Sequence, residues 1–180
     1  MKKLDVPYYS QRLDVLDPDW KHRSCGICAL AMAMEFLGLP AGKAGGEKIS
    51  LDDLIKEGLE INAYLKNVGW VHQGLVELAK KHGFQNSFKK EWPEDKKNET
   101  IKYLVEFLEK GVPVLASVKS KEGGHIVLMV GMEMNVNEIR GFYIHDPDAS
   151  SSEEGKFKFL NLSKFLEIWK CRIIVLKQKI

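Results

Sequence analysis

Cys25 is the residue of this chain best placed for nucleophilic chemistry, because it begins a long apolar segment. Residues 24–38 read SCGICALAMAMEFLG, and Ala, Leu and Met are strong helix formers. Ser24 is a suitable N-cap and Gly38 a suitable stop, so the pattern predicts a buried helix that starts at the cysteine. The unpaired N–H groups and positive dipole end of such a helix favour a thiolate, and Gly26 leaves the sulfur sterically open.

His125 and Asp146 are the candidate partners of this thiol. His125 opens the apolar run HIVLMVGM and Asp146 follows the run GFYIH, so two antiparallel strands would place the start of one beside the end of the other. The carboxylate can then hold one imidazole nitrogen while the other exchanges a proton with the thiol. Alternatively, His125 is a strand-end residue bound to a backbone group, and Asp146 only starts a turn. His145 points to the opposite strand face and is a weaker base candidate.

Gln11, in the polar segment that precedes the cysteine, completes the candidate site. A side-chain amide near Cys25 can donate to a developing oxyanion together with the backbone N–H of the cysteine. The alternative is an ordinary solvated loop glutamine. Three further histidines lie in polar contexts where solvated side chains are expected: His22, His72 and His82.

Cys25 and Cys28 also form a C-x-x-C motif at a helix start, which is a redox signature in thioredoxin-like proteins. That interpretation needs a buried strand directly before the first cysteine, whereas residues 20–24 read WKHRS. A zinc site would need two further ligands at recognisable spacing. We therefore expect no metal and no organic cofactor, and we expect Cys28 to be a buried core residue.

The composition is that of an ordinary globular protein. The chain has 180 residues, of which 44% are hydrophobic and 29% charged. A net charge of +2 argues against a nucleic-acid partner, and the longest apolar run is far short of the roughly 20 residues of a membrane span. The start, MKKLDVPYYSQ, lacks the apolar core of a signal peptide. We therefore expect a cytoplasmic location, or secretion if a leader was removed. Three cysteines give no disulfide framework.

The order of predicted elements indicates an α+β fold. Helices are expected at residues 24–38, 50–67, 71–82, 99–110 and 163–169. Strands are expected at residues 84–88, 113–118, 125–132, 141–145, 157–160 and 172–176, with an extended segment at 4–9 and a connector at 38–46. Short connections favour antiparallel pairing. We predict a single domain over 1–180, mainly helical to residue 112 and mainly antiparallel β from residue 113.

Four segments, taken in order, resemble one known family. They are VPYYSQ, CGICALAMAMEFLG, GGHIVLMVGM and FYIHDPD, and together they resemble the papain-like cysteine peptidases related to the double-glycine leader (bacteriocin-processing) peptidases. GWVHQGLVELAKKHGF resembles the intermediate helical region of that family. The resemblance implies a papain-like fold, in which a nucleophile helix faces a β lobe. It also implies that Cys25 is the nucleophile, His125 the base, Asp146 the orienting residue and Gln11 the oxyanion donor.

The residues and the resemblance together predict a cysteine hydrolase that acts by acyl transfer on a peptide or amide. The expected partner is a peptide or protein substrate. Two other classes stay open: a catalytically silent papain-like peptide-binding module, and a thiol–disulfide oxidoreductase that uses Cys25 and Cys28. Oligomeric state and cleavage preference are left open.

Overall fold

The computed structural model describes residues 2–38, 50–120, 123–136 and 138–179. In this part of the chain, helices pack against a seven-stranded antiparallel sheet, and a separate two-stranded sheet lies among the helices. The expected α+β class is confirmed.

The helices of the described residues differ widely in length. They are α1 (Cys25–Phe36), α2 (Leu51–Glu60), α3 (His72–Lys81), α4 (Lys97–Glu109), α5 (Ser152–Gly155) and α6 (Leu162–Ile168), and a 3-10 turn at Glu94–Lys96 leads into α4. The Ser50 hydroxyl accepts a hydrogen bond from the Asp53 N–H at 3.2 Å, so it caps α2 as its sequence position predicts.

The large sheet brings together strands from both ends of the chain. Its strands are β1 (Lys2–Lys3), β4 (Phe88–Glu91), β5 (Val114–Ser120), β6 (Gly123–Asn135), β7 (Glu138–His145), β8 (Lys158–Asn161) and β9 (Trp169–Val175). The order is β4-β9-β5-β6-β7-β8, with β1 paired to the later part of β6. The small sheet pairs β2 (Tyr64–Leu65) with β3 (Gly69–Trp70).

Helix α1 lies at the centre of the molecule, as its all-round apolar sequence predicts. Every residue from Gly26 to Met34 is buried. The helix packs on β5 and β6 of the sheet and on α2 and α3. Its position against the sheet sets where Cys25 meets the residues of β6.

Two predicted elements differ most from their observed bounds. The helix expected to run from Ser50 to residue 67 ends at Glu60, and the β2–β3 hairpin follows it. The rings of Tyr64 and Trp70 pack edge to face across this hairpin at 5.3 Å, so aromatic packing overrides helix propensity there. The strand expected at 84–88 occupies Phe88–Glu91 instead. The connector expected at 38–46 lies, apart from Gly38, outside the described residues.

The hydrophobic core joins both parts of the chain. It contains buried residues of α1, α2 and α3 together with those of β5, β6, β7 and β9. This continuity supports the proposal of a single domain, although the division at residue 112 stays a prediction. Among the described helices, none combines the length and apolar character needed to cross a membrane.

Candidate active site

Helix α1 presents Cys25 as its first residue, partly exposed at the edge of a cleft. The expected cap by Ser24 is wrong. The Ser24 hydroxyl donates to the carbonyl of Trp20 at 2.8 Å and makes no capping bond to the helix. The first N–H groups of α1 are therefore not satisfied by a side-chain cap, which leaves them directed at the region of the thiol.

Trp70 fixes the start of α1. Its indole N–H donates to the carbonyl of Arg23 at 2.6 Å, which ties the segment before the cysteine to the β2–β3 hairpin. A Cβ added at Gly26 would lie 3.1 Å from the Cβ of Trp70 and 3.1 Å from Leu75. Gly26 therefore allows close packing of α1 on this tryptophan, a role beyond the open access to sulfur that the sequence suggested.

Strands β6 and β7 bring His125 and Asp146 together as the sequence predicted. They are antiparallel, with Leu128 opposite His145, so the start of β6 lies beside the end of β7. The His125 Nε2 atom lies 2.8 Å from an oxygen of Asp146, and the two side chains are only 13% and 16% exposed. The Cys25 thiol lies close enough to the same ring to raise its pKa. Because Nε2 is engaged by Asp146, Nδ1 is the ring nitrogen left for proton exchange with Cys25.

The charges around this ring favour imidazolium. Burial alone would lower the pKa of His125, but the hydrogen bonds and charges of Asp146 and Cys25 outweigh burial and raise the pKa to about 10. Burial would likewise raise the pKa of Asp146, but His125 and Lys158 hold it well below its usual value. The Lys158 ammonium lies 3.0 Å from the second oxygen of Asp146. The sequence did not predict the contact of Lys158 with Asp146, because nothing in a polar segment indicates which carboxylate a lysine will bind.

The N-terminal segment holds the turn that carries Asp146. The Tyr8 hydroxyl donates to the backbone carbonyl of Asp146 at 2.8 Å, and the Ser10 hydroxyl donates to the carbonyl of Ala149 at 2.8 Å. A Cβ at Gly155 would lie 1.8 Å from the Tyr8 hydroxyl oxygen, so only glycine leaves room for this contact. Burial and the nearby Asp146 raise the pKa of Tyr8 to about 12, so its hydroxyl stays a donor. The VPYYSQ segment thus positions the carboxylate.

Gln11 is buried against the same turn. Its side-chain nitrogen donates to Asp148 at 2.6 Å, and its backbone N–H donates to the carbonyl of Pro147 at 2.9 Å. The Gln11 side-chain oxygen is buried and has no hydrogen-bond partner within the described residues. The solvated alternative for Gln11 is therefore wrong. One amide N–H is used by Asp148, and Gln11 is not among the described residues that line the cleft beside Cys25.

Three of the other histidines make contacts inside the fold. His145 accepts from the Phe157 N–H at 3.1 Å and donates to the Val6 carbonyl at 3.0 Å; it is fully buried, and burial lowers its pKa. It is a neutral core residue, and this agrees with the prediction that His145 is a weaker candidate for the base than His125. The expectation of solvated side chains is wrong for His82, which is 8% exposed and bound to Glu57.

His72 is also not simply solvated. Its Nε2 lies 2.6 Å from the hydroxyl oxygen of Ser117, and burial lowers its pKa. This contact links the start of α3 to β5. His22 is exposed at the edge of the cleft.

The remaining cysteines are Cys28 and Cys171, and both are fully buried with free thiols. The buried position expected for Cys28 is confirmed. Burial raises the pKa of the Cys28 thiol well above its ordinary value, with the nearby Cys25 adding to the effect. Cys28 is therefore a poor thiolate former. Within the described residues, no three His, Cys, Asp or Glu side chains cluster so as to hold a metal ion.

A cleft of about 580 Å³ opens beside Cys25 and His125. One wall comes from the segment before α1, the β2–β3 hairpin and the start of α3. The other wall comes from β4, β5, β6 and β9. The thiol and the imidazole therefore lie where a bound chain can reach both.

A thiol at the start of a central helix, facing an imidazole and a carboxylate on an antiparallel sheet, is typical of papain-like cysteine peptidases. The chain belongs to the Peptidase_C39 like family, whose profile matches residues 3–172. This match confirms the resemblance read from the four segments, the papain-like fold and a cysteine peptidase-like function in general. No curated protein matches the chain significantly.

Proposed function

We propose that the protein is a cysteine peptidase in which Cys25 is the nucleophile, His125 the general base and acid, and Asp146 the residue that orients the ring. The observation that carries this proposal is the hydrogen bond between His125 and Asp146 beside the Cys25 thiol, at the edge of a cleft. The raised pKa of His125 favours an imidazolium at neutral pH, and this is the partner that a thiolate needs.

The proposed reaction proceeds by acyl transfer. The Cys25 sulfur attacks the carbonyl carbon of the substrate, a C–S bond forms, and the C=O electron pair moves to oxygen. As this intermediate collapses, the C–N bond breaks and the leaving nitrogen takes the proton from His125. His125 then removes a proton from water, whose oxygen attacks the thioester. The C–S bond breaks and thiolate is restored, with the acid product released. These steps draw no electrons from a redox partner.

We further propose that Gln11 and the Cys25 backbone N–H stabilise the developing oxyanion. Cys25 is the first residue of α1, so its N–H has no acceptor within the helix. The Gln11 side chain is fixed by Asp148, which presets its remaining amide N–H. Fixed donors of this kind need no reorganisation as negative charge forms.

The test is cleavage of a peptide library by wild type, Cys25→Ala and His125→Ala, with products identified by mass spectrometry. We expect cleavage by the wild type alone, and hydroxylamine should trap the acyl group as a peptide hydroxamate. Iodoacetamide labelling gives a readout that needs no substrate. Wild type should react at Cys25 well below the pH at which a free thiol does, and His125→Ala should remove this advantage. An alkaline-only labelling profile in the wild type would reject the pair.

The second candidate function is a papain-like module that binds peptides without cleaving them. It is favoured by one observation, that Gln11 is not among the described residues that line the cleft beside Cys25. Tight peptide binding with no hydroxamate formed would support it over the peptidase. A thiol–disulfide enzyme is less well supported, because Cys28 is fully buried. Dithiothreitol-driven insulin reduction, with and without the protein, tests that activity directly.

A further inference from the structure

The cleft beside Cys25 carries charges of one sign. All the side chains of fixed charge among the described residues that line it are cationic: Arg23, Lys66, Lys89, Lys170 and Arg172. No described Asp or Glu is part of the lining. The chain as a whole has a net charge of only +2, so this separation of charge is a property of the cleft and not of the overall composition.

Most of these cations have no ion-pair partner of their own. Arg172 is bound to Glu91 at 2.6 Å. Within the described part of the chain, the other four make no ion pair. Lysines elsewhere on the surface do pair, as Lys80 does with Glu77 and Lys164 with Glu167. The unpaired cations of the cleft are therefore available to a ligand.

One of these lysines, Lys170, lies beside the start of β6, and it acts with Lys89 on the same wall of the cleft. The ammonium of Lys170 would be 3.4 Å from a Cβ added at Gly124, which directly precedes His125. After burial, the charges of Arg172, Lys89 and Lys170 lower the pKa of His72 on the cleft wall, against an opposing effect of Glu91. Lys89 and Lys170 therefore act on the same part of the cleft, from β4 and β9.

We propose that the cleft selects peptides that present a carboxylate on the segment next to the scissile bond, with Lys89 and Lys170 as the residues that recognise it. This inference rests on the proposed function and names its substrate class. A concave site lined by one sign of charge concentrates ligands of the opposite sign and speeds their association. Exposed lysine–carboxylate pairs each contribute about a two- to five-fold gain in affinity, so two lysines together give about ten-fold.

The first experiment measures binding to the full chain carrying Cys25→Ala, so that turnover is not needed. The probes are a fluorescent decapeptide rich in Glu, its Gln counterpart, and versions of both with a C-terminal carboxylate or amide. We expect the Glu peptide to bind about ten-fold more tightly than the Gln amide at low salt, with the difference lost near 0.5 M salt. Preference for the free C-terminus in the Gln pair would identify a terminal carboxylate as the ligand group.

Matched variants test the residues. Lys89→Gln with Lys170→Gln should remove most of the preference, whereas Lys110→Gln, at an exposed lysine outside the cleft, should leave it intact. Equal binding of the Glu and Gln peptides by the Cys25→Ala protein would overturn the proposal. So would a loss of the preference in Lys110→Gln as large as that in the double variant. Tighter binding of single-stranded RNA than of the Glu peptide, abolished by the same double variant, would also overturn it.

A second readout uses two alkylating reagents that differ in charge. The rate ratio of anionic iodoacetate to neutral iodoacetamide at Cys25 reports the local potential without any substrate. The double variant should lower this ratio about three- to ten-fold, and high salt should do the same to the wild type. An unchanged ratio would count against the proposal. If no peptide is cleaved but the alkylation ratio and the preference for Glu peptides are as expected, the peptidase proposal fails and the proposal of acidic recognition stands. If peptides are cleaved without any preference for Glu, the peptidase proposal stands and the proposal of acidic recognition fails.

Discussion

Replacement of Asp146 by asparagine should change the titration of His125 more than any other property of the site. The carboxylate lies 2.8 Å from His125 Nε2, and both side chains are largely buried. Asparagine keeps the shape and an acceptor oxygen but removes the charge. The hydrogen bond to the imidazolium then loses the charge that strengthened it, while burial continues to disfavour the charged ring.

The size of the effect follows from the raised pKa. A rise from 6.5 to about 10 at His125 corresponds to about 5 kcal/mol of net preference for the charged ring. This preference is shared between two partners, Asp146 and Cys25. A hydrogen bond to a charged group contributes about 1.5–3 kcal/mol, which is near half of the total. Asp146→Asn should therefore lower the titration midpoint of His125 by about one to two pH units.

The assay is a nuclear magnetic resonance titration of protein labelled with ¹⁵N-histidine, in which the His125→Ala spectrum assigns the ring. Asp148→Asn is the matched control, because Asp148 lies in the same turn but binds Gln11 and Arg12. We expect the midpoint to fall in Asp146→Asn and to stay near the wild-type value in Asp148→Asn. An unchanged midpoint in Asp146→Asn, or an equal fall in both variants, would refute the electrostatic reasoning.

The same substitution should alter how stability depends on pH. His125 has a raised folded-state pKa, so its contribution is complete below about pH 6.5 and is lost as the pH rises towards 10. Asp146 has a lowered folded-state pKa, so its contribution is present above its ordinary value of 3.8 and is lost as the pH falls. The pair therefore stabilises most between about pH 4 and 6.5. Urea unfolding should place the largest loss for Asp146→Asn in this window, and a loss independent of pH would contradict the linkage.

Three further substitutions separate the roles of neighbouring residues. Lys158→Gln should raise the pKa of Asp146 and so move the acid limb of the pH–activity profile to higher pH. Because the lysine is half exposed, the same change should lower the free energy of unfolding in urea by less than about 1 kcal/mol. His145→Ala leaves a buried donor and acceptor unpaired and should cost about 2–5 kcal/mol of stability; low-pH alkylation of Cys25 in the folded fraction should persist, and its loss would show that His145 has a role in the site. Gly155→Ala should displace Tyr8 and lower thermal stability and peptide cleavage together, and wild-type cleavage in this variant would show that the Tyr8 contact is dispensable.

The elements that carry the reactive groups could be predicted because their signals are local. The apolar run after Cys25 predicts a buried helix wherever it packs. The strands that begin at His125 and end near Asp146 are short apolar runs joined by a turn, and such runs favour antiparallel pairing. The antiparallel pairing of these two strands suffices to place the start of β6 beside the end of β7. The helical lobe and β lobe, by contrast, have no sequence feature that marks their boundary, so the division at residue 112 stays a prediction.

The residues that support the site could not be predicted, because their contacts join distant parts of the chain. Tyr8 and Asp146 are 138 residues apart, and nothing in the sequence around either one indicates the other. Ser24 has the residue type and position of an N-cap, yet the Trp20 carbonyl competes successfully for its hydroxyl. The helix expected after Ser50 ends early, because the rings of Trp20, Tyr64 and Trp70 pack together. In each case tertiary packing overrides a local preference.

The proposed reactive pair depends on the packing of α1 against the sheet. Burial by itself lowers the pKa of His125, and only contacts from two separate elements, Cys25 on α1 and Asp146 after β7, reverse this effect. If α1 moves away from β6, the ring loses one of these partners. If the turn held by Tyr8 loosens, it loses the other. The charged state that the proposed chemistry needs is therefore a property of the assembled fold, and low-pH reactivity of Cys25 should report the integrity of both packing interfaces at once.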